Sequence, residues 1–248
     1  MNLYITGAGV SLDSGIPTFR GTDGFWTIES SNYTPQEMAT RKMYMENPAQ
    51  FLLWYFNRFV KYRNSKPNKV HYYLKNKNLI TQNIDGLDSK AGNKNYISIH
   101  GNLHKVTKFH EQGSTVSLID APWQTIENEY IEKSNENKLK KLLLNTFKIS
   151  TKSQKPELMI SLKPFVLLFD EYYTNIYRIN EAEIMMQKAK KFIFIGTSFN
   201  VNITSIALNY ALKNNAYIDI VDPNPIDLRI PNVSYYKMSA LAYINKNS

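Results

Sequence analysis

The sequence predicts an α/β protein built on a doubly wound parallel sheet, with a smaller module inserted into it. Short apolar runs at Leu3–Thr6, Leu79–Gln82, Ile97–His100, Phe165–Phe169, Phe192–Gly196 and Ile218–Asp222 lack strict alternation. They read as parallel strands covered on both faces. Helical patterns alternate with these runs, the order that a doubly wound sheet requires. Residues 101–163 break the rhythm: they are polar, rich in Lys and Glu, and weakly periodic. The expected division is 1–100 with 164–248 as the sheet domain and 101–163 as the small inserted module.

Each element has its own signal. The first strand runs into Gly7-Ala8-Gly9 and then Gly15, small residues suited to a tight strand-to-helix turn. Thr34-Pro35-Gln36-Glu37 has the form of a capping box with proline at the first helical position. Asn47-Pro48 opens a second helix, whose Phe51, Leu52, Tyr55, Phe56, Phe59 and Val60 share an apolar face. Tyr172–Lys188 and Asn202–Lys213 carry two further helical patterns. Neither an internal repeat nor a low-complexity tract is apparent.

Bulk composition narrows the function classes. A chain of 248 residues suits one large domain, or one with a small insert. The net charge of +9 would suit a polyanion, yet Lys and Asn are spread along the whole chain and no basic run resembles a nucleic-acid arm. No specific nucleic-acid partner is expected. The absence of cysteine excludes disulfides, thiolate catalysis and any Cys-ligated metal. No signal peptide precedes the first strand, and no apolar run approaches the ~20 residues that span a bilayer. The expectation is a cytoplasmic protein with no membrane partner.

Glycines after a first strand let a backbone approach a pyrophosphate, and the following amides face the anion. The spacing departs from G-x-G-x-x-G, since Leu12 replaces a glycine. On these residues alone, a dinucleotide site and a ligand-free tight turn both stand. Asn83 and Asp85 lie two apart beyond a strand, so both can point to one pocket. His100 ends the next strand beside Gly101, and an imidazole there can serve as general base.

The longer series is more specific. Ser14–Gly21 reads SGIPTFRG, residues 81–87 read TQNIDGL, 99–101 read IHG and 196–198 read GTS. Together, in this order and each beside a strand end, they resemble the sirtuin (Sir2) family of NAD-dependent protein deacylases. The resemblance implies a Rossmann-like domain with NAD as co-substrate. It implies cofactor contacts from Gly7, Ala8, Gly9, Phe19, Arg20, Gln82, Asn83, Ile84, Asp85, Gly196, Thr197 and Ser198. Asp222 and Asn224, at a strand end suited to ribose hydroxyls, and Ala240, near the last adenine contact, complete that set. Asp85 and the Ile84 backbone would hold the nicotinamide amide, with Asn83 and Gln82 facing the ribose. His100 and Asn83 are the implied catalytic residues, His100 helping to deprotonate a ribose hydroxyl. The implied products are nicotinamide, free lysine and O-acyl-ADP-ribose.

The substrate is an acyl-lysine protein or peptide by the same resemblance. Residues 162–173, LKPFVLLFDEYY, resemble the segment that pairs with the peptide as an added strand, which names Val166 and Phe169 as substrate contacts. Asp170 stands where the family has glycine, so the cleft is expected to differ. Tyr55 and Arg58, at i and i+3, resemble the Tyr-x-x-Arg pair of sirtuins that remove succinyl or malonyl groups. A guanidinium and a phenol suit a terminal carboxylate.

The family's zinc-binding cysteines are missing, and His104, His110, Glu111 and Asp120 lack the spacing of a tetrahedral site. No zinc is expected, and Trp123, Ile126, Ile131 and Leu142–Leu144 are expected to supply an apolar core instead. Two other functions would use the same pocket: NAD hydrolysis or protein ADP-ribosyl transfer, and NAD binding without turnover.

Overall fold

The structure, a computed structural model, describes residues 1–18, 33–130 and 135–247. In chain order the elements are β1 (Asn2–Thr6), α1 (Pro35–Met38), α2 (Arg41–Glu46), α3 (Pro48–Tyr62), α4 (Lys69–Leu74), β2 (Asn78–Thr81), α5 (Leu87–Lys90) and β3 (Ile97–Ser98). They continue with β4 (Gly101–Lys108), β5 (Ile119–Asp120), α6 (Trp123–Glu129), α7 (Glu136–Thr146), β6 (Leu162–Val166) and α8 (Ile179–Lys188). The last are β7 (Lys191–Ile195), α9 (Asn202–Lys213), β8 (Tyr217–Asp222), β9 (Val233–Lys237) and α10 (Ala240–Asn247). Among the described residues, no helix is long and apolar enough to cross a membrane.

The chain divides into two compact units. The first comprises Met1–Phe19, Ser65–His100 and Tyr177–Ser248. Its six-stranded sheet runs β3-β2-β1-β7-β8-β9, with every pairing parallel. Leu3, Ile5, Phe192, Phe194, Ile218 and Ile220 are all buried, as strands covered on both faces require. The chain leaves β1 towards β2 and β3 and returns beside β1 at β7. That reversal puts a crevice at the carboxyl ends of β1 and β7, where open α/β sheets bind ligands.

The second unit comprises Arg20–Asn64 and Gly101–Ile176. It holds a three-stranded sheet of order β5-β4-β6, paired antiparallel. Helices α1–α3 belong here and not to the sheet domain, where the sequence division puts them. The reason is Trp123, fully buried against Phe147 at 4.7 Å and against Phe56 and Phe59 of α3 at 6.3 Å. Its indole N–H donates to the Leu103 carbonyl at 2.7 Å. Ile126, Leu143 and Leu144 complete this core, Leu142 is half-buried, and Ile131 lies outside the described residues. No group of three or more His, Cys, Asp or Glu side chains is close enough to share a metal ion among the described residues.

Three elements depart from the sequence reading. The run at Phe165–Phe169 is not a strand of the large sheet; β6 pairs antiparallel with β4. Pro164 lacks the N–H that an interior strand donates, and an edge position tolerates it. The large sheet is completed by β9, a half-exposed edge strand without an apolar run to announce it. The helix expected from Tyr172 begins at Ile179, because Arg178 before it sits in the left-handed region at φ 58°.

Candidate active site

The turn after β1 is built by interlocking backbones. The Gly7 N–H donates to the Ile195 carbonyl at 3.1 Å, and the Gly9 N–H to the Gly196 carbonyl at 3.0 Å. A Cβ on Gly7 would lie 2.6 Å from the Gly196 oxygen, and one on Gly9 would lie 2.6 Å from the Gly196 Cα. Gly196 itself has φ +61°. The glycines therefore let the β1 and β7 turns cross in contact, and any side chain there would force them apart. A short 3₁₀ helix follows over Ala8–Ser14. Asn68, the N-cap of α4, straps this turn by donating to the Val10 carbonyl at 2.8 Å and to Ser14 Oγ at 3.0 Å.

A polar cluster collects at the same strand ends. Ser11 Oγ donates to Asp85 Oδ2 at 2.7 Å, and the Leu87 N–H to Asp85 Oδ1 at 2.9 Å. Asn83 Nδ2 donates to the Gly7 carbonyl at 3.1 Å and reaches Ser11 Oγ at 3.2 Å. Gln82 Nε2 donates to Thr197 Oγ1 at 3.1 Å. Thr6 and Thr81 are buried beneath, their hydroxyls 2.9 Å apart, and Thr81 Oγ1 also accepts the Asn83 N–H. Gln82, Asn83, Ile84 and Asp85 are all half-buried, so their polar atoms border solvent. Both Asp85 oxygens accept, Oδ2 from Ser11 and Oδ1 from Leu87, which fixes the carboxylate's orientation. Paired amides and a carboxylate at a strand-end crevice fit a carboxamide and ribose hydroxyls.

His100 closes the cluster. Its Nδ1 lies 3.0 Å from the Gln82 carbonyl. A carbonyl only accepts, so Nδ1 carries the proton and the neutral ring keeps its lone pair on Nε2. Burial pushes the imidazole down to about 4, against the pull of the Gln82 carbonyl. The ring is therefore an unprotonated base at neutral pH.

The remaining expected contacts are more dispersed. Thr197 is buried beside Gln82 and Ser198 is exposed. At the end of β8, Asp222 Oδ1 accepts the Asn224 N–H at 2.8 Å, an Asx turn that orients the carboxylate. Ala240 is packed into the core with Val10, Ile195 and Val221. Phe19 and Arg20 lie outside the described residues. Ser11, Thr6, Thr81 and Asn68 were missed by sequence reasoning: single hydroxyls and an amide acquire roles only through partners far away in the chain.

In the second unit, Tyr55 is buried against Phe51 and Trp54, each at 4.8 Å, and burial pushes its phenol well above the usual range. Arg58 is also buried, its guanidinium 3.3 Å from the Trp54 ring centre and its Nη1 donating to the Trp54 carbonyl at 2.8 Å. Helix α3 is thus enclosed well beyond the single face the spacing predicted. Val166 is buried opposite Gly101, whereas Phe169 is half exposed to solvent. Asp170 caps α2, its oxygens accepting the N–H groups of Arg41 and Lys42 at 2.6 and 3.0 Å.

A doubly wound parallel sheet with interlocked glycine turns, an Asn–Asp cluster and a neutral histidine at its strand ends defines a Rossmann-like dinucleotide-binding protein. Residues 7–203 match the Sir2 family. Over 255 residues the chain is 32% identical to NAD-dependent protein deacylase 1 of Caldanaerobacter subterraneus subsp. tengcongensis, covering 99% of this chain and 92% of that one. It is 30% identical over 231 residues to an NAD-dependent protein deacylase of Bacteroides thetaiotaomicron, covering 91% and 86%. A crystal structure of a Sir2 homolog–NAD complex superposes with a TM-score of 0.71 at 25% identity, covering 99% of this chain and 86% of that one. The chain belongs to the Sir2 family.

Proposed function

We propose that this protein removes acyl groups from protein lysine, using NAD as co-substrate and releasing nicotinamide, free lysine and O-acyl-ADP-ribose. Family membership and two full-length relatives named as NAD-dependent protein deacylases support this reading. The observation that carries the chemistry is the His100 tautomer, with Nδ1 bound to the Gln82 carbonyl and the lone pair on Nε2.

Bound NAD supplies a glycosidic bond activated for cleavage by its positively charged nicotinamide. The residues here do the holding and the proton transfer. Asp85 and the Ile84 backbone hold the carboxamide, with Asp85 fixed by Ser11 and Leu87. Asn83 and Gln82 orient the adjoining ribose, and Asn83 is itself held by the Gly7 carbonyl. His100 Nε2 accepts a proton from a ribose hydroxyl. Gly7, Ala8, Gly9, Thr197, Ser198, Asp222 and Asn224 hold the remaining phosphate and adenosine groups. Phe19 and Arg20 are proposed contacts on the sequence resemblance alone. Val166 and Phe169 are proposed to border the peptide, and Tyr55 with Arg58 to favour acyl groups ending in a carboxylate.

The test is turnover followed by mass spectrometry, with NAD alone and with acetyl-, succinyl- and malonyl-lysine peptides. Peptide-dependent nicotinamide release with O-acyl-ADP-ribose is expected, and His100→Ala should lose about 10²–10⁴-fold in kcat. Because His100 is neutral down to about pH 4, kcat/KM should hold through pH 6 and fall only nearer its own value. Nicotinamide release without any peptide requirement would instead establish NAD hydrolysis or ADP-ribosyl transfer. Equal rates on all three peptides, unchanged in Arg58→Met, would remove the acidic-acyl assignment alone.

A further inference from the structure

A second concave site lies at the opposite end of β2 from the Asn–Asp cluster. Lys75, Asn76, Lys77, Asn78, Gly92, Lys94 and Asn95 line a solvent-open concavity of 490 Å³, and all of them except Gly92 are exposed. These residues form the turn between α4 and β2 and the connection from α5 to β3, at the amino-terminal edge of the large sheet.

Charge, shape and rigidity agree on an anion. The lining holds lysines and carboxamides and no carboxylate. Lys75, Lys77 and Lys94 make no ion pair among the described residues. Three like charges on one concave lining, with no carboxylate to match them, favour a ligand of opposite sign. The concavity also has a close-packed wall. Gly92, at φ +85°, lets the Lys75 chain lie flat against it, and a Cβ there would come within 3.1 Å of Lys75 Cε and Nζ. Lys77 Nζ sits 4.9 Å from the Tyr73 ring centre.

The backbone around these lysines is fixed in advance. Buried Asn93 donates through Nδ2 to the Leu74 carbonyl at 3.2 Å and through its N–H to the Asp88 carbonyl at 3.1 Å. Its Oδ1 accepts the Asn95 N–H at 3.1 Å. The Lys77 N–H donates to the Leu74 carbonyl at 3.0 Å, and Asn78 Nδ2 to the Asn2 carbonyl at 3.0 Å. One buried asparagine thus ties both lysine-bearing connections together.

We propose that this concavity binds a nucleotide-sized anion carrying two or more phosphate groups, at a site separate from the strand-end cluster. The volume falls in the ~300–1,000 Å³ range of small-molecule sites. Ammonium groups bind phosphate oxygens as point charges, and the Asn76 and Asn95 carboxamides offer donors and acceptors beside them. Free polyphosphate and a nucleoside triphosphate share this chemistry, and the nucleoside distinguishes them.

The test is isothermal titration of the full chain at physiological ionic strength with inorganic tripolyphosphate and, separately, ATP. One equivalent of tripolyphosphate should bind, and the triple variant Lys75→Gln, Lys77→Gln, Lys94→Gln should weaken it at least about tenfold, since each lost phosphate contact also lowers the salt dependence. The corresponding triple Lys→Arg variant should retain binding, and the KM for NAD should be the same in all three proteins. ATP binding tighter than tripolyphosphate, and equally sensitive to the Gln variant, would identify the nucleotide as the better fit. Three results would overturn the proposal: binding unchanged in the Gln triple variant, no binding below about 1 mM, or binding of single-stranded RNA that neither small anion displaces.

Discussion

The smallest scale at which this protein shows its design is a single carboxyl group. Asp88 is buried behind the Asn83–Asp85 loop, and its Oδ1 has no hydrogen-bond partner among the described residues. Burial pushes it up to about 7, the Asp85 charge adds to the rise, and a hydrogen bond with Thr81 opposes it. Its value when folded is above the unfolded one, so the folded protein holds a proton that the unfolded chain lacks between about pH 4 and 7. The stability this contributes is complete below about pH 4 and lost as pH rises through 7. Asp88→Asn should therefore raise the melting temperature at pH 8 and change it little at pH 4, a difference worth up to about 4 kcal/mol. Equal shifts at both pH values would show that Asp88 is not the buried acid described here. None of this is visible in TQNIDGLD, where Asp88 reads as one more acid at a helix start.

At the scale of an element, the turn after β6 is held by an ion network within the second unit. Lys163 is buried, and burial lowers its ammonium while Glu171 supports it. Glu171 Oε2 accepts from Lys163 Nζ at 3.0 Å and Oε1 from Arg41 at 3.3 Å. Removing one partner of a buried pair leaves an uncompensated charge, so Glu171→Gln should cost about 3–5 kcal/mol in a urea titration. Asp170→Gly, which restores the family's residue, removes the carboxylate cap on α2 but leaves the Thr40 side chain, which accepts the Met43 N–H at 3.0 Å, and should cost about 1 kcal/mol. The sequence marked Asp170 as a departure in a peptide cleft. Its helix-capping use could not be seen there, since Arg41 and Lys42 are over a hundred residues away.

Across the whole molecule, the second unit is organised around an aromatic and aliphatic core. Trp123, Phe147, Ile126 and Leu143 are fully buried there, with no cysteine anywhere in the chain. Dialysis against a chelator should leave both the melting temperature and the turnover rate unchanged, and a fall in either would reveal a metal that this core needs. The sequence by itself determined five of the six parallel strands, whose apolar runs are complete within a few residues each, and the helix starts where Thr34 and Asn47 cap their own backbones. It also determined the order of the glycine, Asn–Asp and histidine segments, because these are contiguous motifs. Only the tertiary structure decided the rest. Helix α3 went to the second unit because its aromatic residues meet Trp123, and β6 left the large sheet because Pro164 needs an edge. The His100 proton was placed by the Gln82 carbonyl just past β2, and the lysine concavity was assembled from two connections that no basic run unites. The physical reason is the same in each case: secondary structure answers to neighbours in sequence, whereas partnership, burial and protonation answer to neighbours in space.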